Sequence, residues 1–595
     1  MRQKLRPKPD RATEESLNFW AFVNLLNSSA QSKYFRFIIV HSFLSLIEVV
    51  SVMCIAFLGL RSLTIFSNRV NSSKEPFLLD LNVASFSFTL GAREVFILFG
   101  FFLILLVIKN FLALFLYYKL SGFLADLGES LSLSLFKKLL DVSPLRKKNL
   151  DRSETSAALT DSIYSGVLLV LGQFVLLFSE TILMVLMFIG LLVYEPIITL
   201  ILLFLAGFVF IFSFSRIRDI TFTASKNTAL INAHSKNLVQ ETMNFAEVIY
   251  FQNRGHFFVQ NFLKDLIVRG SNFKKLQTSQ QSPKYFLDII FLSSILLFAV
   301  FQFFSQNYIK GIEIFAVFLL VSSRIGPALL RAQNGLLAMQ RGFGFSFLYF
   351  KFHQFLNSVL DDGILGISKI PVAENFDFPT LHVTAKNLRL NVPNIYENSS
   401  LLQPFNFDFK VGDIVGVSGP SGVGKSTLLE TVTGLRSPQS GEILISGYSP
   451  SNFMQLFPLS VFYSRQNSNL LSGTIMENIV LEANVSQETE AEVIFLLTSV
   501  GLTERINALE FGVHTPITPE SSFFSSGEEQ RILVARALYF NARIIVLDES
   551  TNALDAISEQ NLLDLLKQIS ENRIIFIISH RSELINQCTK ILKLK

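Results

Sequence analysis

The chain has 595 residues, half of them hydrophobic and only 16% charged, and its mean hydropathy is +0.44. This composition excludes an ordinary soluble globular protein, and a net charge of only +4 gives no reason to expect a nucleic-acid partner. The two cysteines, Cys54 and Cys588, are too few to predict a disulfide framework or a metal site.

The first 335 residues contain six long apolar stretches, and a membrane-spanning helix needs about 20 mostly apolar residues. The predicted spans are residues 37–60, 94–117, 166–193, 196–215, 286–305 and 312–335. The third and fourth spans meet at Tyr194-Glu195-Pro196, which predicts a tight hairpin, and the connection from Ser305 to Gly311 is also short.

Lysine and arginine residues predict the orientation of these spans. They cluster before the first span, between the second and third, and between the fourth and fifth, so these regions are predicted to be cytoplasmic. The hairpins and the 61–93 loop then face outward. The helical periodicity of Leu124–Leu140 and Ala229–Phe251 predicts that membrane helices continue into the cytoplasm, with bends near Ser143–Asp151 and Phe251–Gly255.

Four ionisable residues fall in or near the spans, where a charge is costly and usually faces a partner or a cavity: Glu48, Lys109, Glu180 and Arg324. One interpretation is structural pairing, for example of Glu48 with Lys109 or Arg324. The other is that Lys109 and Arg324 line a cavity for an anionic head group.

After a polar stretch at residues 358–380, the chain changes to short strands and helices. A predicted strand, Ile414–Ser418, leads into a glycine-rich loop and the helix-like segment Lys425–Leu435. This is the strand–loop–helix context of a phosphate-binding loop, whose backbone N–H groups surround phosphate oxygens. Lys425 is predicted to reach the β- and γ-phosphates of a nucleotide, and Ser426 to bind Mg²⁺. The predicted nucleotide-binding residues of the loop are Gly419, Pro420, Ser421, Gly422, Val423, Gly424, Lys425, Ser426 and Thr427.

A second apolar strand, Arg543–Leu547, ends in Asp548 and Glu549. A carboxylate at the end of such a strand suits a metal site, so Asp548 is the expected Mg²⁺ partner. Glu549 is placed to polarise the water that attacks the nucleotide.

With these motifs in order, the sequence resembles the ATP-binding-cassette (ABC) family over nearly its whole length. Residues 524–531, Phe-Ser-Ser-Gly-Glu-Glu-Gln-Arg, are similar to the family signature LSGGQ, and residues 550–555 look like its D-loop. Gln466 matches the Q-loop glutamine and His580 the switch histidine. The resemblance implies that Glu549, His580 and Gln466 are catalytic, that Ser426, Gln466 and Asp548 bind the metal, and that Ser525, Ser526, Gly527 and Glu528 bind nucleotide.

The resemblance also implies an architecture. We expect an α-helical six-span transmembrane domain of the ABC exporter type at residues 1–357, a linker at 358–380, and an α/β P-loop NTPase ABC domain at 381–595. ATP and Mg²⁺ are the implied cofactors. The implied partner is a second half-transporter, as a homodimer in preference to a heterodimer, because each ATP would lie between one chain's Lys425 loop and the other chain's signature segment. The expected location is the inner or plasma membrane, multi-pass and in contact with its lipids, with the ABC domain cytoplasmic.

The substrate is less closely specified. Leu46-Ile47-Glu48, Ile108-Lys109-Asn110 and residues 323–327 look like features of PglK-type flippases, which implies an amphiphilic lipid-linked oligosaccharide. An exporter of drugs, lipids or peptides is the alternative.

Two departures from the family pattern keep a third interpretation open. Ser526 and Glu528 replace the usual Gly and Gln of the signature, and Val392 stands where an adenine-stacking aromatic residue is usual, with Tyr396 nearby but out of register. We expect weaker adenine stacking and slower turnover. A regulatory half that binds ATP without productive turnover remains the rival hypothesis.

Overall fold

The computed structural model describes most of the chain. The described residues are 17–71, 78–83, 86–147, 150–194, 196–305, 308–361, 381–391, 404–465, 470–482, 485–518, 524–548, 556–579 and 581–594. They divide into two compact units: Met1–Val142 with Asn149–Ile364, and Ser143–Lys148 with Leu365–Lys595. We call these the helical unit and, after the family that its motifs resemble, the ABC unit.

The helical unit consists mainly of very long helices. Its elements are α1 (Phe19–Val23), α2 (Ser28–Asn71), β1 (Leu78–Val83), β2 (Phe86–Gly91), α3 (Ala92–Asp141), α5 (Arg152–Ala157), α6 (Ile163–Gly166), α7 (Gln173–Tyr194), α8 (Pro196–Asn244), α9 (Ala246–Gln252), α10 (Gly255–Ser305), α11 (Tyr308–Phe345) and α12 (Phe347–Asp361). The short helix α4 (Pro144–Lys147), between α3 and α5 in sequence, is grouped with the ABC unit.

The helices continue beyond the apolar stretches, since α3 reaches Asp141 and α8 reaches Asn244, and their extension into the cytoplasm stays a prediction. The chain turns at the short helix α4 and again at Asn253, whose φ of 51° lies in the left-handed region. Among the described residues, three helical segments are long and apolar enough to cross a membrane: Ser28–Ile55, Arg93–Asp141 and Arg152–Val193. The other three predicted spans lie in helices whose side chains are only partly described, and they stay predictions.

The predicted outward loop at residues 61–93 is instead largely regular structure. The helix α2 continues to Asn71, and β1 pairs antiparallel with β2 from Leu78↔Gly91 to Val83↔Phe86. Apolar and polar residues alternate from Leu79 to Val83 and from Phe86 to Leu90, which is the two-residue period of a β-strand. The prediction missed this signal because it considered only the spacing of the apolar stretches.

Two π-helical segments, Ala158–Ser162 and Val167–Gly172, interrupt the helix that runs from α5 through α6 to α7. A π turn adds a residue to the helix and leaves a backbone carbonyl without its usual partner. Here the carbonyl of Leu171 accepts a hydrogen bond of 2.9 Å from the hydroxyl of Tyr34, a side chain that is fully buried. A side chain from α2 therefore stabilises the π turn.

Three of the four ionisable residues in or near the predicted spans, Glu48, Lys109 and Glu180, have ion-pair partners. The Lys109 ammonium donates to Glu48 Oε2, and these side chains are only 14% and 12% exposed. Arg331 donates to both carboxylate oxygens of Glu180, at 2.6 and 3.0 Å. The predicted pairing of Glu48 with Lys109 is confirmed, Glu180 has a partner that the sequence did not indicate, and the side chain of Arg324 lies outside the described residues.

The described residues of the ABC unit form three sheets, of which the smallest pairs Gly473–Thr474 with Pro516–Ile517. Its strands are β3 (His382–Arg389), β4 (Phe405–Lys410), β5 (Ile414–Ser418), β6 (Ser440–Ile445), β7 (Val461–Ser464), β8 (Gly473–Thr474), β9 (Pro516–Ile517), β10 (Ile544–Asp548), β11 (Ile574–Ile578) and β12 (Lys590–Lys593). Its helices are α13 (Lys425–Val432), α14 (Pro450–Leu456), α15 (Ile475–Val480), α16 (Gln487–Ser499), α17 (Thr503–Asn507), α18 (Ser526–Tyr539), α19 (Ala556–Ile569) and α20 (Ser582–Asn586).

Five parallel strands form the central sheet in the order β12–β5–β11–β10–β7, and β4–β3–β6 form a separate antiparallel sheet. The strands β10 and β11 are buried along their whole length, which explains their continuous apolar sequences. The carboxyl ends of parallel strands lie at one edge of the sheet, where α/β proteins bind ligands. The carboxyl ends of β5, β7, β10 and β11 therefore lie at this edge.

Candidate nucleotide-binding site

The loop between β5 and α13 has the backbone conformation that phosphate binding requires. Gly419, Gly422 and Gly424 have φ values of 155°, 80° and 105°, a region that residues with a side chain rarely adopt. At Gly419 an added Cβ would lie 2.7 Å from the backbone oxygen of Leu594, so this glycine also permits close packing. The predicted glycine-rich loop is thus present, with the α13 N-terminus directly behind it.

Lys425 is buried, with 6% of its surface exposed, and its ammonium is held by neutral groups of the same loop. Its Nζ donates to the backbone oxygens of Gly419 at 2.9 Å and Pro420 at 3.4 Å. Carbonyl groups orient the ammonium without neutralising it. The cation therefore keeps its attraction for an anionic phosphate.

Ser426 and Asp548, which the sequence predicts to bind Mg²⁺, are hydrogen-bonded neighbours although they lie 122 residues apart in sequence. The Ser426 hydroxyl donates to Asp548 Oδ1 at 3.1 Å, and the Tyr463 hydroxyl donates to Oδ2 at 2.8 Å. Burial is the main cause that raises the pKa of Tyr463, and the nearby Asp548 carboxylate raises it further. The hydroxyl therefore stays protonated and donates.

These groups fit Mg²⁺, which prefers hard oxygen ligands and usually takes only one or two from the protein beside phosphate oxygens and water. Within the described ranges no group of three or more His, Cys, Asp or Glu could hold a metal ion by itself. A hydroxyl and one carboxylate, with the nucleotide completing the shell, match that preference.

A buried carboxylate on α13 organises the approach to the Q-loop. Glu430 accepts from Arg436 at 3.0 and 3.1 Å and from Arg465 at 3.0 Å, while Arg465 also stacks against the Tyr463 ring. Arg465 directly precedes Gln466. The roles of Glu430, Arg465 and Tyr463 were not predicted from the sequence. The only signal was that Tyr463 and Arg465 lie just before Gln466.

The signature segment forms the N-terminus of α18. Ser525 caps this helix, since Glu528 N donates to its hydroxyl oxygen at 3.3 Å. In return Glu528 Oε2 accepts from the Ser525 backbone at 2.7 Å and from its hydroxyl at 3.0 Å. This is a capping box, so the glutamate that departs from the family pattern has a structural role. Arg505 lies 3.5 Å from the other Glu528 oxygen.

Asn478 connects the segment after the Q-loop to α18. It is buried, donates to the oxygens of Leu471 and Thr474, and accepts from the Leu471 backbone. Arg536, on the signature helix, donates to the backbone oxygen of Asn478 at 2.5 Å. This hydrogen bond was not predicted, because Arg536 and Asn478 lie 58 residues apart in sequence.

Gln466, Glu549 and His580 lie outside the described residues, so their catalytic and metal-binding roles stay predictions. Val392 also lies outside them, and the weaker adenine stacking expected there stays a prediction. The neighbours of His580 are described: Arg581 forms a 2.7 Å ion pair with Glu559, and Ser579 donates to the same buried carboxylate at 3.4 Å. Both sides of the His580 position are therefore fixed to α19.

Comparison with known proteins agrees with this geometry. Residues 402–552 match the ABC transporter family, and this segment includes the phosphate loop, the signature and Asp548. The chain is 35% identical over 191 residues to a β-(1→2)glucan export ATP-binding/permease protein of Agrobacterium fabrum, covering 31% of this chain and 32% of that protein. It is 31% identical over 215 residues to an α-hemolysin translocation ATP-binding protein of Escherichia coli, covering 36% and 29%. The alignments with the curated relatives span from 16% to 40% of those proteins' lengths.

The whole chain also resembles a solved structure, a bacterial Atm1-family ABC exporter with ATP bound. The TM-score is 0.70 and the identity 16%, over 96% of this chain and 94% of that one. The likeness establishes the fold, and it confirms the predicted class: a helical transmembrane domain followed by an ATP-binding ABC domain.

Proposed function

We propose that this chain is one half of a dimeric exporter that couples ATP hydrolysis to the outward movement of an amphiphilic substrate. The observation that carries the proposal is the arrangement of Lys425, Ser426 and Asp548 at one sheet edge, in a chain whose overall fold is that of an ABC exporter.

The loop residues bind the triphosphate. Backbone N–H groups of the loop and the N-terminus of α13 face the phosphate oxygens, and Lys425 exchanges its carbonyl partners for the β- and γ-phosphates. Ser426 and Asp548 would hold Mg²⁺, which would supply neutralisation of the charge that develops on the phosphates. Tyr463 keeps the Asp548 carboxylate turned toward Ser426.

A single chain supplies half of each composite site. The signature helix α18 of the second chain completes it, with Ser525, Ser526 and Gly527 directed at the γ-phosphate. Glu549 polarises the attacking water, and Gln466 and His580 orient the metal-bound phosphate and the water. ATP closes the dimer because it binds that state more tightly, and hydrolysis removes this preference.

For the substrate, a lipid-linked oligosaccharide is our leading proposal. Its support is the resemblance of the Glu48 and Lys109 segments to PglK-type flippases, and the structure pairs those two residues. That pairing weakens the idea that Lys109 by itself binds an anionic head group, because its charge is compensated. Export of drugs, other lipids or peptides remains the alternative.

The test is ATP hydrolysis by the purified chain in proteoliposomes, with and without a lipid-linked oligosaccharide, using Glu549→Gln as the blank. We expect hydrolysis by the wild type, none above background by the blank, and stimulation by the glycolipid. Activity without stimulation would retain the ATPase and remove this substrate.

A regulatory half is the second candidate, and the specific observation in its favour is the engagement of the Ser525 hydroxyl by Glu528. Wild-type activity no greater than that of the blank would favour this candidate. Activity restored by an added second half-transporter would then identify a heterodimer.

A further inference from the structure

The groove between α2 and α3 has a feature that ATP-driven export does not explain. A cavity of about 650 Å³ opens here, and its lining includes Lys33 from α2 and Lys119 from α3. Phe37 and Phe123, whose ring centroids are 5.8 Å apart, pack between the two helices beside it. Gly122 leaves the groove open, since a Cβ added there would meet nothing within 4 Å.

The two lysines differ from Lys109, which is paired with Glu48. Both are exposed, and within the part of the chain that the structure describes neither makes an ion pair. The Lys119 ammonium lies 5.7 Å from the Phe115 ring centroid. Asp126 also lines the cavity, so its side chains carry two positive charges and one negative charge.

The cavity lies at the basic ends of two predicted membrane spans. Lys33 precedes the 37–60 stretch and Lys119 follows the 94–117 stretch, so both stand where lipid head groups would lie. Tyr118, which is 73% exposed, also lines the cavity, and tyrosine is enriched at this depth. Further into the span, α3 presents exposed apolar side chains, among them Phe111 and Leu114.

We propose that this cavity binds the phosphate head group of an anionic phospholipid. Lys33 and Lys119 contact the phosphate from two helices, Asp126 accepts a hydrogen bond from a head-group hydroxyl, and the acyl chains lie along the exposed apolar surface of α3. A basic pocket between membrane helices attracts anionic head groups, whereas isolated lysines interact only with the average surface charge. The proposal does not depend on the transported substrate.

The test measures binding of phosphatidylglycerol to the delipidated full-length protein by native mass spectrometry. The double variant Lys33→Gln/Lys119→Gln removes the phosphate contacts, and Lys137→Gln/Lys274→Gln removes the same charge from exposed sites elsewhere. We expect the first variant to bind phosphatidylglycerol at least about tenfold more weakly than the wild type does, and the second variant to bind it equally well. Equal affinity of both variants would overturn the proposal.

A steric variant separates binding from folding. Gly122→Leu should fill the cavity while favouring the helix, and Gly270→Leu makes the same change where an added Cβ likewise meets nothing within 4 Å. We expect only Gly122→Leu to lower phosphatidylglycerol binding, and normal binding by this variant would contradict the proposal. Glycerol phosphate distinguishes the sources of phosphate: competition at concentrations similar to the lipid would show a site for free phosphate and overturn the lipid assignment.

Discussion

Lys425 in the ABC unit is buried and Lys109 in the helical unit is only 14% exposed, but the two lysines have different partners. Lys425 is held by two backbone carbonyls, whereas Lys109 is held by the carboxylate of Glu48. A cation oriented by neutral dipoles stays available to an anionic ligand, while one paired with a carboxylate is already compensated. Burial of a charge therefore does not by itself indicate a binding site. Whether the cation can bind an anionic ligand depends on whether its protein partner already neutralises it.

The largest effect is expected at Lys425. The variant Lys425→Met keeps the length of the side chain but removes the ammonium, so ATP affinity and hydrolysis should fall by roughly 100-fold or more, as when a preorganised charge donor is lost. Binding of a fluorescent ATP analogue to the purified chain measures this directly. Near-normal affinity would mean that the ammonium on its carbonyl partners is not the phosphate-binding group.

A stability effect is expected at Lys109. The variant Lys109→Gln removes the cation that compensates Glu48, whose side chain is only 12% exposed, so it should cost up to about 3 kcal/mol of stability. The double variant Lys109→Gln/Glu48→Gln should recover most of the loss. Thermal unfolding in detergent, compared with basal ATP hydrolysis, distinguishes a structural pair from a binding site. A stable Lys109→Gln protein with impaired transport would break the comparison with Lys425.

A smaller effect is expected at Tyr463. The variant Tyr463→Phe removes one hydrogen bond to Asp548 and leaves the ring on Arg465, so the Mg²⁺ requirement should rise by about fivefold, as for one hydrogen bond of about 1 kcal/mol. Because burial raises the pKa of Tyr463, this effect should not change between pH 6 and 9. The concentration dependence of Mn²⁺ binding, followed by electron paramagnetic resonance with ATP present, provides the readout. Unchanged metal affinity would show that the Tyr463 hydroxyl does not contribute to metal binding and that Tyr463 contributes only packing.

The smallest effect is expected at Glu528. The variant Glu528→Gln keeps the capping geometry and removes a negative charge from the N-terminus of α18, where phosphate is to bind. ATP hydrolysis should increase about two- to threefold, in line with helix-terminus charge effects of a few tenths of a kcal/mol to 1 kcal/mol. Glu529→Gln, one residue further along, is the matched control. Equal gains from both variants would indicate general charge rather than the capping position.

The sequence predicted the fold of the ABC unit well, because its signals are local. Glycines at fixed spacing and an apolar strand ending in Asp548 specify backbone conformation directly, and β5 has the predicted bounds. The contacts made by Glu430, Asn478 and Tyr463 could not be predicted, since each partner is chosen by tertiary packing over long separations. In the helical unit, apolar length predicted the helices, but neither the β1–β2 hairpin nor the Arg331–Glu180 pair.

The π turn at Val167–Gly172 has a consequence for how this sequence can change. Deleting one residue there would restore a regular helix without rotating the residues on either side, so a single-codon deletion should be tolerated by the backbone. The Tyr34 hydroxyl, however, would lose the Leu171 oxygen as its acceptor and be left buried and unpaired. Descendants of this sequence should therefore lose the extra residue and the tyrosine hydroxyl together, as a deletion coupled to Tyr34→Phe.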